Sequence, residues 1–173
     1  MNPYSTDKPC FHVLAGEIKD VDQYVAKLRF EGGARIAVRV LRGRNMRSTE
    51  GFYNELAAAL QFPLYFGKNW DALDECLADL EWLPSDAYLL FFSDAPLVLE
   101  SSGKGDLQTF LKLLFRICDE WADGSSVASS LERKPTPFHV VFHAGAAEAD
   151  HFLHQVEAAT GCPVGKIAAS EDE

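Results

Sequence analysis

The run AYLLFFSD, residues 87–94, is apolar without a break from Ala87 to Phe92. A strand with one wet face alternates apolar and polar side chains. An unbroken run of strand length is dry on both faces, so its sheet must be covered on both sides. Three further segments have strand character: FHVLAG (11–16), IAVRV (36–40) with its alternating Ile36, Val38 and Val40, and FHVVFHAG (138–145). Between them lie segments of helical period: VDQYVAKL, STEGFYNELAAALQF, the stretch after Asn69, DLQTFLKLLFRICDEWAD, and AAEADHFLHQVEAATG. Strands separated by helix-length crossovers pair in parallel. The expected fold is therefore α/β, a small, mainly parallel sheet of three to four strands flanked by helices.

The helix STEGFYNELAAALQF opens on Ser48 and Thr49, both suited to an N-cap, and stops before Pro63. The Ser-rich GSSVASSLERKPTP reads as a flexible connection, and the final AASEDE as a frayed tail. At 173 residues the chain suits one domain with a real core. The expected organisation is an N-terminal extension over 1–34 (a strand and short helix), a central domain over 35–143, and a C-terminal helical extension over 144–173.

A formal net charge of −10 disfavours nucleic-acid backbones and anionic membrane surfaces as partners, and favours basic proteins. Neither a signal peptide nor a membrane span is expected. Cys10, Cys76, Cys118 and Cys162 are scattered without a C-x-x-C, which suits reduced thiols in a cytoplasmic protein.

The stretch FPLYFGKNWDALDECLADLEWL (62–83) bears most directly on function. On a helical wheel Leu73, Cys76, Leu77 and Leu80 share one arc, with Trp70 beside it. Asp71, Asp74, Glu75, Asp79 and Glu81 share the other, with no base among them. Like charges three or four residues apart destabilise a helix by roughly 0.2–0.5 kcal/mol per pair. The macrodipole favours Asp71 behind an Asn69 N-cap but opposes the later acids. By itself the pattern is compatible with a solvated acidic face. The preceding loop sets Tyr65, Phe66 and Trp70 around Gly67, and aromatics beside charges are frequent at binding hot spots. The expectation is Phe66 and Trp70 inward, Tyr65 outward, and Gly67 at a positive-φ turn.

The segment P-x-Y-[YF]-G-x-N-x-D-A-L, within FYNELAAALQFPLYFGKNWDALDECL, resembles the barstar family of intracellular inhibitors of bacterial ribonucleases such as barnase. The resemblance runs from about residue 35 to 143. It implies that loop and acidic helix plug the basic active site of a ribonuclease, with carboxylates in place of RNA phosphates. Tyr65 matches the loop tyrosine, Gly67 and Asn69 the turn and helix start, and Asp71 the first contacting acid. Glu75 stands where the family has its principal aspartate. Asp74 replaces an aromatic, Asp79 a small residue, and Leu80 a tryptophan. The extra acids imply a partner whose basic groove differs from that of barnase.

The implied partner-binding set is thus Tyr65, Gly67, Asn69, Asp71, Asp74, Glu75 and Asp79. The implied activity is stoichiometric inhibition, of the immunity or antitoxin kind, of a secreted ribonuclease or nuclease toxin. No catalysis, cofactor, nucleic acid or membrane is implied. The alternative is a binding or regulatory module for a different basic protein, such as a non-ribonuclease toxin or a DNA-binding protein.

Other constellations carry less. His139, His143, His151 and His154 with Glu148 and Asp150 do not form a recognised metal-ligand motif, and no metal site is expected. Two acids on one helical turn cannot face each other across a sugar, which excludes Asp71 and Glu75 as a glycosidase pair. ESSGKG (100–105) lacks the spacing of a phosphate loop. Arg35, Arg39, Arg42, Arg44 and Arg47 form a basic strip expected to pair with surface acids or to protect a sheet edge.

Overall fold

A computed structural model describes residues 1–32, 35–125 and 133–168. Residues 126–132 of the Ser-rich connection and 169–173 of the tail lie outside the described residues.

The elements run β1 (Phe11–Ala15), α1 (Ile18–Gly32), β2 (Ile36–Arg42), α2 (Thr49–Leu60), α3 (Trp70–Asp79), β3 (Ala87–Ser93), α4 (Asp106–Asp123), β4 (Phe138–Ala144), α5 (Ala149–Thr160) and β5 (Gly165–Ala168). All pairings are parallel, in the order β2-β3-β4-β1-β5. The α/β expectation holds, with five strands instead of three to four. The additional strand is GKIA, four residues at a sheet edge. Its glycine and lysine lack strand character, and pairing with β1 alone makes it a strand.

Every residue of β3 is buried, as its unbroken apolar run requires. Tyr88, Leu90 and Phe92 join Phe138, Val140, Phe142, Phe11 and Val13 in the large core beneath α2 to α5. Leu89 and Phe91 join Leu14, Val38 and Val141 on the opposite face, covered by Val25 and Leu28 of α1. The chain passes from β1 over one face to the far edge at β2, then returns strand by strand along the other. Right-handed crossovers put the single helix and the group of helices on opposite faces.

β1 lies inside the sheet, between β4 and β5, so the N-terminal segment supplies part of the core. β2 is an edge strand, and arginines at its end and on either side of it form ion pairs. Arg35 pairs with Asp86, Arg42 with Glu55 and Arg47 with Glu100. The four cysteines are free thiols, with Cys10, Cys76 and Cys118 buried.

Candidate protein-binding surface

α2 ends where Gln61 takes a left-handed conformation and its N–H bonds to the Ala57 carbonyl. The chain then turns at once. The Phe66 N–H donates to the Pro63 carbonyl at 3.0 Å, closing a four-residue turn with Leu64 and Tyr65 at its centre. Both side chains are exposed. Phe66 points inward, its ring 4.8 Å from that of Phe62 and 5.9 Å from that of Tyr53. Trp70 packs on Phe52 and Tyr53. The inward and outward assignments of the three aromatics therefore agree with the structure.

The expected positive-φ turn at Gly67 lies one residue later. Lys68 has φ 49°, and its ammonium donates to Asn54 Oδ1 at 2.7 Å, tying the loop to α2. Gly67 has another constraint: a Cβ there would come within 3.1 Å of Asn69 Nδ2. Asn69 is the N-cap, its Oδ1 accepting the Ala72 N–H at 2.8 Å. Satisfying that orphan donor fixes where α3 begins.

The far end of α3 is tied as firmly. Leu80, buried and left-handed at φ 48°, returns its N–H to the Cys76 carbonyl. The Trp121 indole of α4 donates to the Leu77 carbonyl at 2.9 Å. Leu73, Cys76, Leu77 and Leu80 are buried, as the wheel predicts. Burial raises the pKa of the Cys76 thiol, and the neighbouring Glu75 and Asp79 charges add to the shift.

The acids of the outer arc separate into distinct groups. Asp71, Glu75 and Asp79 are exposed and, among the described residues, have no hydrogen-bond or ion-pair partner. Successive members are four residues apart, about 6 Å along the helix axis, so they form one stripe. Asp74 departs from the expectation that it belongs to this free surface. It is half-buried and bound by Arg116 of α4, which also holds Glu120. A helical wheel places a side chain on an arc but cannot show a cation arriving from another helix. Burial disfavours the Arg116 charge, yet Asp74 and Glu120 outweigh it and raise its pKa. Glu81 is exposed and lies beyond the helix end.

Leu64 is the surface residue that the sequence pattern leaves unmarked. Its available signal is position: it follows a proline at the centre of a turn, where polar residues or glycine are usual.

In open parallel sheets a ligand crevice commonly forms at the strand C-termini where the crossover direction changes, here between β1 and β4. His143 occupies that point. Its Nε2 lies 3.1 Å from the Gly16 carbonyl, and the Asp94 N–H reaches its Nδ1 at 3.2 Å. The ring joins the exits of β1, β3 and β4. Among the described residues no three His, Cys, Asp or Glu side chains form a metal-binding group. GKG at 103–105 leads into α4 after β3, and Gly103 donates its N–H to Asp106.

The family model for Barstar (barnase inhibitor) matches residues 36–143, more than half of the chain. The chain belongs to the barstar family. The match contains β2, α2, the turn at 63–66, α3, β3, α4 and all but the last residue of β4. β1, α1, α5 and β5 lie outside this barstar segment, yet β1 and β5 extend its sheet.

No curated protein matches this barstar-family chain. Among solved structures, the Aeropyrum pernix ORC2 protein (ADPNP-ADP complexes) superposes with TM-score 0.57 at 12% identity, over 92% of this chain and 42% of that one. CDC6P from Pyrobaculum aerophilum gives TM-score 0.51 at 18% identity, over 90% and 38%. The Aeropyrum pernix ORC1 protein in complex with DNA gives 0.56 at 13% identity, over 96% and 41%. The chain thus spans about two fifths of those proteins, and at such identities the likeness is one of fold alone. Among the described residues no helix is long and apolar enough to cross a membrane.

Proposed function

We propose that this chain is a stoichiometric inhibitor of a bacterial ribonuclease, acting in the cytoplasm as an immunity protein or antitoxin, and that it performs no catalysis itself. The observation that carries the reading is the stripe of unpaired carboxylates, Asp71, Glu75 and Asp79, beside the exposed Tyr65, in a chain of the barnase-inhibitor family. An enzyme that holds RNA presents closely spaced cations to phosphates. Carboxylates on a helix capped at both ends meet those cations without reorganisation. They form charge-assisted hydrogen bonds and steer association over distance.

In this reading Asp71 and Glu75 meet basic active-site groups, Asp79 extends the acidic stripe, and Tyr65 covers the cleft. Gly67 and Asn69 set the course of the loop and the start of the helix. Asp74 contributes through its bond to Arg116.

The test is a titration of the chain into a panel of basic bacterial ribonucleases that includes barnase. Full suppression of one enzyme at one equivalent is the expected result, lost in a Tyr65→Ala/Asp71→Ala/Glu75→Ala variant. Suppression of none, with capture of a basic protein that lacks nuclease activity, would favour the second reading, a binding module for another basic protein. The departures from the family pattern at Asp74, Glu75 and Leu80 motivate that alternative.

A further inference from the structure

The turn at 63–66 carries two large side chains that project into solvent. Leu64 is fully exposed and Tyr65 nearly so. Centre-of-turn positions are ordinarily taken by Gly, Asn, Asp or Ser, which favour the conformation and stay solvated. Leucine offers neither advantage. The turn is nevertheless held firmly, by the Phe66 N–H to Pro63 bond before the tip closes and by Phe66 packed on Phe62 and Tyr53 behind it. On its other side, Lys68 is tied to Asn54 and Asn69 caps α3. The apolar tip is thus preorganised, which lowers the ordering cost of binding.

We propose that Leu64 seats on the nucleobase-binding surface of the target ribonuclease, next to the cleft that Tyr65 covers. This rests on the ribonuclease reading above and deepens it. An enzyme that binds single-stranded RNA has two chemistries in one groove: cations for phosphates and flat apolar faces on which bases stack. The chain offers a counterpart to each, an unpaired acidic stripe and an exposed apolar tip separated only by the Gly67–Asn69 link. A polyanion mimic alone would gain from another acid at residue 64. A leucine there adds contact where charge has no partner, and makes residue 64 a specificity determinant among basic nucleases.

The experiment uses an enzyme of the panel that the full chain suppresses. Binding is measured for wild type, Leu64→Ala, Leu64→Asp and Glu75→Gln at low and moderate salt. Leu64→Ala should weaken binding about tenfold with its salt dependence unchanged, as lost apolar contact would. Leu64→Asp should weaken it further, although it brings another negative charge to a basic target. Glu75→Gln should weaken binding and flatten the salt dependence. Guanosine and adenosine, uncharged nucleosides, should compete with wild type and much less with Leu64→Ala.

Unchanged affinity in Leu64→Ala, or tighter binding by Leu64→Asp, overturns the inference while a weakened Glu75→Gln keeps the ribonuclease reading. Weakened Leu64→Ala binding that neither nucleoside competes with overturns the nucleobase assignment. Suppression of no enzyme in the panel overturns both readings. Equal urea midpoints for the Leu64 variants, expected for a fully exposed side chain, establish that folding is unaffected.

Discussion

Arg116 binds Asp74 across the contact between α3 and α4, and on its own helix it binds the buried Glu120. The second Glu120 oxygen, Oε2, has no hydrogen-bond partner. One guanidinium therefore holds the acidic helix in place and stabilises a carboxylate that would otherwise be buried uncompensated. Arg133, stacked 3.9 Å over the Trp121 ring, adds its field at Glu120.

Replacing Arg116 with methionine keeps most of the packing and removes the charge. Glu120 is then buried without its bonded cation and keeps only the field of Arg133, and the variant should lose about 2–3 kcal/mol, less than a fully buried broken pair because Arg116 itself is half-exposed. Urea unfolding would show a lower midpoint at unchanged slope. Adding Glu120→Gln should return part of the loss, since a neutral amide tolerates the site better.

Asp74 and Glu75 are adjacent acids with different expected effects. Asp74→Asn should lower stability by about 1 kcal/mol and alter affinity for a basic target by less than about threefold. Glu75→Gln should leave stability nearly unchanged, or raise it slightly by relieving repulsion from Asp71 and Asp79. It should weaken binding by more than about tenfold if Glu75 meets a desolvated cation. Paired unfolding and binding measurements on the two variants separate these outcomes.

Asn69→Ala removes the acceptor for the Ala72 N–H and should cost about 1 kcal/mol, whereas Asn69→Gly should cost only a few tenths. Circular dichroism during urea unfolding measures the difference. Because the cap also fixes the start of the acidic stripe, the alanine variant should dissociate faster from its target.

His12 and His139 are buried on adjacent strands with ring centroids 5.7 Å apart. Burial, with His139 adding, lowers the His12 pKa to about 4 from its ordinary 6.5, and burial lowers that of His139 as well. Both are held neutral in the folded protein, while the unfolded chain protonates near pH 6.5. Their stability contribution is therefore complete above about pH 6.5 and declines as pH falls toward 4, by on the order of 3 kcal/mol for His12. Urea midpoints measured from pH 7.5 to 4.5 should fall across that window. A His12→Gln variant should show a shallower decline.

Much of the architecture was legible in local pattern. The dry run at 87–92 required a sheet covered on both faces, and helices between strands made it parallel. Period 3.6 separated the buried Leu73, Cys76, Leu77 arc from the acidic one, and Asn69 marked the start of α3. These are properties of residues close in sequence, where periodicity and capping act directly.

The rest depended on residues brought together from far apart. GKIA became a strand because β1 offered it an edge, and the N-terminal strand entered the interior of the sheet through its pairing with β4. Asp74 left the acidic stripe because Arg116, forty-two residues away, reaches it from α4. Lys68, and not Gly67, has the left-handed turn conformation, with its ammonium bonded to Asn54 of α2. Leu64 became conspicuous only once its surroundings were empty. A single sequence states the charge and period of each segment, but whether a charge is free or neutralised depends on long-range partners that only the packed chain supplies.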